Sequence, residues 1–388
     1  MGNLQSAVAT PVTDSLTEYA DLYRQPGPWC VAYVDASAGT VDSLEAADVQ
    51  PGNVRAALAG QGAAKDDLDA IEEALRPATG EPSPVSRFVL VQQGTVQINE
   101  LLPGPLVVPE RIAVEPVPDL LPLLKHRPED FPYVVAEVSR DEGEIRLHHA
   151  GRRDATKSQD IQGSSENLSK VPGGGWAQGK FQHRTEEIWR RNADQVAGEI
   201  DKTIRDSGAR VLILAGDVRA RQLVQEQLAE ASRAVLTVVE SHTRAPGADR
   251  EAFNAQIEER VAEQWAADQE QVLERLAVQE GQANPESATG IGAVVHALQQ
   301  AQVDVLILND RALAERRVLA LGAEPWIATA EEESLGAEVL GRVPAPAALL
   351  RAAALTDARI LLVPGPALPD GVDIAALLRW PTGPGAPA

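Results

Sequence analysis

VLILAGD, residues 211–217, is the stretch from which the fold is read. Val211 to Ala215 carries no polar residue and is closed by Gly216 and Asp217. A strand covered by helices on both faces reads this way, because neither of its faces has to meet water. Outward from it, a helix is expected over 218–230 and another strand over 234–239. Upstream, Trp189, Ala193, Val196, Ile200 and Ile204 recur every three or four residues, a single apolar stripe of a long helix that Gly208 stops. Downstream, Phe253, Ile257, Val261, Trp265, Val272 and Leu276 mark a long closing helix. Before all of this, Tyr133–Val138 and Glu144–His149 flank a turn at Asp141-Glu142-Gly143 and read as a β-hairpin.

The same alternation is expected on either side. At the N-terminal end, helices are predicted over 16–23 and 54–75, with strands over 28–34, 88–92 and 96–101. Residues 102–132 hold eight prolines and read as a connector, because proline removes donors and blocks helix propagation. At the C-terminal end, a helix over 287–300 leads into the strand Val303–Leu308, and strands follow at 326–328 and 359–363. The expected fold class is therefore α/β, in three domains: 1–130, 131–280 and 281–388, the last a compact α/β/α sandwich.

Composition narrows the function. A chain of 388 residues has room for two or three packed units. With 44% apolar and 24% charged residues it can offset its chain entropy, which excludes wholesale disorder. A net charge of −22 repels polyanions at long range and excludes a nonspecific coat on nucleic acid, so any RNA contact must be local. One cysteine, Cys30, rules out a disulfide within the chain; lying in the run Trp29–Val34, it is expected to pack in a strand as a small hydrophobe. No stretch approaches the roughly 20 apolar residues that span a bilayer, and the first residues lack a signal-peptide pattern, so a cytoplasmic protein without membrane contact is expected.

The local exception in charge lies around GGGWAQGKFQHRTE, residues 173–186. Between Arg146 and Arg191 there are nine basic residues against five acidic ones, a positive island on an acidic chain. Gly173, Gly174 and Gly175 free the backbone for close approach to another molecule. Lys180, His183, Arg184 and Arg191 are spaced to share a helix face toward phosphates, and Trp176 is suited to stack on a base. Arg152, Arg153, Lys157 and Arg190 complete the candidate RNA-binding set. The same residues also fit a solvated, charged helix end beneath a glycine loop, and the residue pattern leaves both readings open. Other clusters carry less. His148 and His149, adjacent on a strand, point to opposite faces and do not chelate one metal. Glu240-Ser241-His242 reads as a strand end and cap, Gly290-Ile291-Gly292 lacks the third glycine of a dinucleotide fingerprint, and Glu331-Glu332-Glu333 reads as a solvated face. No metal or cofactor is expected.

The glycine string after a hairpin, the helix through Trp189-Arg190-Arg191 and VLILAGD resemble the central domain of bacterial relatives of the archaeal and eukaryotic class-1 release factors. DVLILND at 304–310 and GVDIAALLRW at 371–380 are similar to the last domain of that group. The resemblance implies an RNase-H-like central domain, a C-terminal domain of the release-factor type, and work in the ribosomal A site. The group includes Pelota-like hibernation factors of the Balon kind, which implies idle or stalled ribosomes as partners and brings in elongation factor Tu and tRNA. Release factors carry a contiguous Gly-Gly-Gln; here Trp176 and Ala177 stand between Gly175 and Gln178. Two readings follow: a stress or hibernation factor that binds without turnover, or a peptidyl-tRNA hydrolase or tRNA-cleaving rescue enzyme in which Gln178 is catalytic, orienting a water or a 2′-hydroxyl.

Overall fold

The computed structural model describes residues 16, 19–37, 41–76, 84–126, 131–150, 155–162, 176–240, 250–282, 285–363, 368 and 371–381, with the backbone alone at 41–48, 176–185 and 280. Its contacts group the chain into two compact units, Met1–Pro128 with Gln269–Ala388, and Glu129–Asp268.

The first unit begins with α1 (Ala20–Arg24), β1 (Trp29–Asp35), α2 (Val41–Gly60), α3 (Lys65–Ala74), β2 (Val85–Gln92), β3 (Thr95–Pro103), β4 (Arg111–Glu115) and α4 (Leu121–His126). The strands form an antiparallel sheet in the order β3-β2-β1-β4. Side chains alternate along β1, as a pleated strand requires. Cys30, Ala32 and Val34 meet Val54, Leu58 and Ile71 of the covering helices, while Trp29, Val31 and Tyr33 enter the opposite core. Burial pushes the Cys30 thiol up to about 11, so it stays protonated and acts as a hydrophobe.

Two expectations are corrected here. The helix read over 54–75 is two helices separated at Gln61–Ala64, and the first begins far earlier, at Val41. The proline-rich connector contains a strand and a helix, because Pro109 and Pro116 bracket rather than interrupt Arg111–Glu115, which pairs along the edge of β1.

The second unit contains β5 (Pro132–Val138), β6 (Glu142–His149), β7 (Lys157–Gln162), α5 (Trp176–Ser207), β8 (Val211–Gly216), α6 (Val218–Gln227), α7 (Glu230–Ala234), β9 (Leu236–Val238) and the first part of α8 (Arg250–Glu280). The sheet runs β7-β6-β5-β8-β9; β6 is antiparallel to both β5 and β7, and β8 and β9 run parallel to β5. This is the expected RNase-H-like arrangement. Leu212 and Leu214 meet Val196, Ile200 and Leu223 of α5 and α6, whereas Val211 and Ile213 meet Phe253, Ile257 and Val261 of α8. The run VLILA is apolar throughout because both of its faces are covered, each Leu or Ile contributing about 1.5 to 3 kcal/mol by burial. The polar, glycine-rich stretch over 150–179, far longer than an ordinary connection, holds β7 and, at Trp176, the start of α5.

The last part of the first unit comprises β10 (Ser287–Thr289), α9 (Ile291–Gln299), β11 (Val303–Leu308), β12 (Arg317–Leu321), β13 (Ile327–Ala328), β14 (Val339–Pro344), α10 (Ala345–Leu355), β15 (Arg359–Leu362) and β16 (Ile374–Leu378). The helix expected over 287–300 is replaced by β10 and a shorter helix, since Gly290 turns the chain at φ +81° between them. A four-stranded sheet, β10-β16-β11-β15, has Val272 and Leu276 of α8 on one face and α9 with α10 on the other, an α/β/α sandwich. Strands β13-β12-β14 form a separate small sheet.

One core joins the two ends of the chain: Trp29, Val31 and Tyr33 share it with Leu306, Leu308 and Leu349. Arg351, 2% exposed, sits within it, and its hydrogen bonds among the described residues go to carbonyls rather than to a carboxylate. Its Nε donates to the Tyr23 carbonyl (3.0 Å) and its Nη1 to those of Leu321 (2.9 Å) and Trp326 (3.2 Å), so one guanidinium ties α1 to the small sheet. Burial pulls its pKa down to about 10, which still leaves it charged at neutral pH. Replacing Arg351 by Leu strands these buried carbonyls and is expected to cost about 2 to 4 kcal/mol. Differential scanning calorimetry should show the first unit melting roughly 5 to 15 °C lower, with part of the loss restored by Arg351→Lys.

Candidate nucleic-acid interface on the central domain

The site is built at the end of the second unit's sheet where β5 and β8 both finish. Gly216 holds φ +112°, and a Cβ there would lie 2.0 Å from the Val138 carbonyl oxygen, so only glycine fits. The next residue, Asp217, caps α6: its Oδ1 accepts from the backbone N–H groups of Arg219 and Ala220, both at 3.0 Å. Partial burial raises the Asp217 carboxyl, but the Ala220 N–H and then Arg140 pull it below the usual carboxylate range. Arg140, in the β5–β6 turn, ion-pairs with Asp217 at 3.4 Å and lies 4.8 Å over the Trp189 ring of α5. Asn192, one helical turn further on, donates to the Arg140 carbonyl at 3.2 Å. Thus a glycine, a cap and a cation–π contact fix the level at which α5 passes the end of the sheet.

From Trp189 the helix continues back to Trp176, thirteen residues or about 20 Å of rise. At about 100° per residue, positions 176, 180, 183 and 184 fall on the same side of the axis as Arg190 and Arg191. Both arginines are exposed. Position 178 falls on the other side, the azimuth of Trp189 and of Val196, which is buried. The helix backbone therefore brings Trp176, Lys180, His183, Arg184, Arg190 and Arg191 to one face and sets Gln178 apart from them.

Other candidates are distributed differently. Gly173, Gly174, Gly175, Arg152 and Arg153 lie outside the described residues, as do Ser241 and His242. Lys157 is exposed at the first position of β7, paired with Leu147, while Gln162 at the other end pairs with Glu142 beside the β5–β6 turn. Five residue steps, about 17 Å, separate Lys157 from the end of the strand that leads toward α5. Arg146, counted in the basic island, is engaged by the buried Glu137 carboxylate. Among the described residues no cluster of His, Cys, Asp and Glu could hold a metal ion, and no helix is long and apolar enough to cross a membrane.

Sequence reasoning did not find the supporting trio of Arg140, Trp189 and Asp217, whose members meet only through the sheet. Nor did it find the cavity of about 590 Å³ on the opposite face, walled by Tyr133, His148 and Trp265. There His148 stacks on Tyr133, its partner across β5 and β6, at 5.1 Å. Burial, then the charges of Arg146 and His149, push the His148 pKa down to about 4.

Residues 132–282, which carry the whole of this geometry, match the family described as Bacterial archaeo-eukaryotic release factor family 2. The match covers the central stretch of the chain, which is similar to that family. It is 26% identical over 311 residues to the uncharacterized protein Rv2629 of Mycobacterium tuberculosis H37Rv, covering 79% of this chain and 81% of that one. Among solved structures it is similar to Saccharomyces cerevisiae Dom34, a translation termination-like factor, at 11% identity and TM-score 0.42, over 78% of this chain and 82% of Dom34. A model of ribosome-bound archaeal Pelota shares 13% identity at TM-score 0.36, over 96% of both chains. At these identities and TM-scores the likenesses carry nothing about the site.

The folded pKa of His148 lies below its unfolded value of about 6.5. Its contribution to stability is therefore complete above about pH 6.5 and is lost as the pH falls through about 4. Histidine-detected NMR titration should place His148 near 4. In Arg146→Gln it should rise yet remain below the ordinary histidine value, because the larger cause, burial, persists.

Proposed function

We propose that this protein is a ribosome-binding factor that occupies the A site of idle or stalled ribosomes, a stress or hibernation factor acting in the cytoplasm without turnover. The observation that carries this reading is the basic face of α5: a helix running about 20 Å past the Arg140–Trp189 contact, with Lys180, Arg184, Arg190 and Arg191 on one side. On a chain of net charge −22, such a face is the part able to approach phosphates favourably. The glycines at 173–175 stand immediately ahead of it in sequence, where close backbone approach to RNA is expected of them. Lys157, at the far end of β7, belongs to a second contact or to none.

Binding is preferred to hydrolysis because position 178 is on the core-facing azimuth of α5 and is separated from Gly175 by Trp176 and Ala177. With stalled complexes bearing labelled peptidyl-tRNA, neither wild type nor Gln178→Ala should release peptide or cleave tRNA; release abolished by Gln178→Ala would establish the enzymatic reading instead. The same complexes, with and without elongation factor Tu, decide whether that partner is needed.

Neutralising Lys180, Arg184 and Arg190 together to Ala should leave the melting temperature within about 2 °C of wild type, since Arg190 is exposed and surface substitutions cost little. Sedimentation with ribosomes at low salt should be lost, and any residual affinity should fall with salt at a slope shallower by about two to three.

A further inference from the structure

In the first unit a cavity of about 780 Å³ opens between the β3–β4 loop, the start of α4, the turn after β11 and the start of α10. Its body is apolar, with Val108, Leu121, Pro122 and Pro346 among its walls. Two of its charged groups are almost wholly buried, Asp119 and Asp310, each 7% exposed. They are not equivalent. Asp310 is matched by Lys125, whose Nζ donates to both carboxylate oxygens at 2.8 and 2.9 Å. Asp119 accepts the Leu121 N–H at 3.2 Å, and its cation among the described residues is Arg111, whose Nε stays 3.5 Å away. The Arg111 Nη2 is already engaged by Glu115. One guanidinium thus serves two carboxylates, and burial outweighs Arg111 in setting the Asp119 carboxyl above its usual range. Glu110, Glu315 and Arg311 complete the charged lining, four carboxylates against two guanidiniums, with the Lys125 ammonium on Asp310 as a third cation.

A cavity of this size, apolar in its body and holding a buried, under-compensated carboxylate, matches the general form of a small-molecule site. We propose that it binds a small organic cation, an ammonium group on an apolar or aromatic body. The ammonium takes the place against Asp119 that Arg111 fills only in part, and the body lies on Val108, Leu121, Pro122 and Pro346. An anion of the same shape meets the under-compensated Asp119 carboxylate and is disfavoured. This site is separate from the α5 face and does not depend on the ribosomal reading.

Isothermal titration calorimetry of the full chain with two probes of similar size and opposite charge, tryptamine and indole-3-propionate, tests it. Wild type should bind tryptamine at least about tenfold more tightly. Asp119→Asn should abolish that preference. Ala314→Trp, at an exposed position on the cavity wall, should weaken tryptamine without lowering the melting temperature, and it serves if Asp119→Asn does not fold. Equal binding of the two probes, a preference that survives Asp119→Asn, binding unaffected by Ala314→Trp, or no heat with either probe at millimolar concentration would each overturn the proposal.

Discussion

The close approach of Gly216 to the Val138 carbonyl fixes the end of the central sheet, and the geometry of the candidate interface follows from it. With a side chain there, β8 could not finish level with β5. Asp217 would then lose its place at the start of α6, and Arg140 its carboxylate partner. Because Arg140 also rests on Trp189, this backbone contact sets where a long helix leaves the sheet. It does so without any large individual energy. A cap is worth about 1 kcal/mol and an exposed cation–π contact about 0.5 to 1 kcal/mol, so the precision comes from their convergence on one turn rather than from any strong bond.

The two units place charge differently. In the second, Arg190 and Arg191 stand exposed on α5, where water keeps them inexpensive and long-range attraction to phosphate remains available, while the buried Glu137 is paired with Arg146. In the first, charge is taken inside. Arg351 is satisfied by carbonyls, Asp310 by Lys125, and Asp119 incompletely by a shared arginine. Buried charge of the first two kinds holds segments from opposite ends of the sequence together; the third kind leaves a group with capacity for a ligand.

Much of this was legible in the residues, and the failures have a common origin. Val211–Ala215 and Val303–Leu308 are legible because strands covered on both faces are apolar, wholly in the first and at every position but Asp304 in the second, and the Trp189–Ile204 stripe because a helix on a sheet repeats every three or four residues. Strand β7, KSQDIQ, was missed because it is an edge strand that buries only Ile161; its hydrogen bonds to β6 leave no hydrophobic signature. Strand β4 was hidden by the prolines around it, and β10 by the helix-like residues that follow Gly290. In the candidate interface, the face shared by Lys180, Arg184 and Arg191 could be read from spacing alone. The separation of Lys157 from that face depends on the register of β7 against β6, and the meeting of Arg140, Trp189 and Asp217 on tertiary packing, neither of which local sequence contains. The core shared by Tyr33 and Leu349 joins residues too distant in the chain for any local pattern to link them.

Whether the start of α5 is the part that touches RNA can be measured directly by placing a photocrosslinking amino acid at position 183, and separately at position 332, in otherwise unchanged protein bound to purified ribosomes. Irradiation from position 183 should yield ribosomal RNA adducts mapping to the A site, with few or none from position 332. Adducts formed equally from both positions, or from 332 alone, would contradict the assignment of the α5 face.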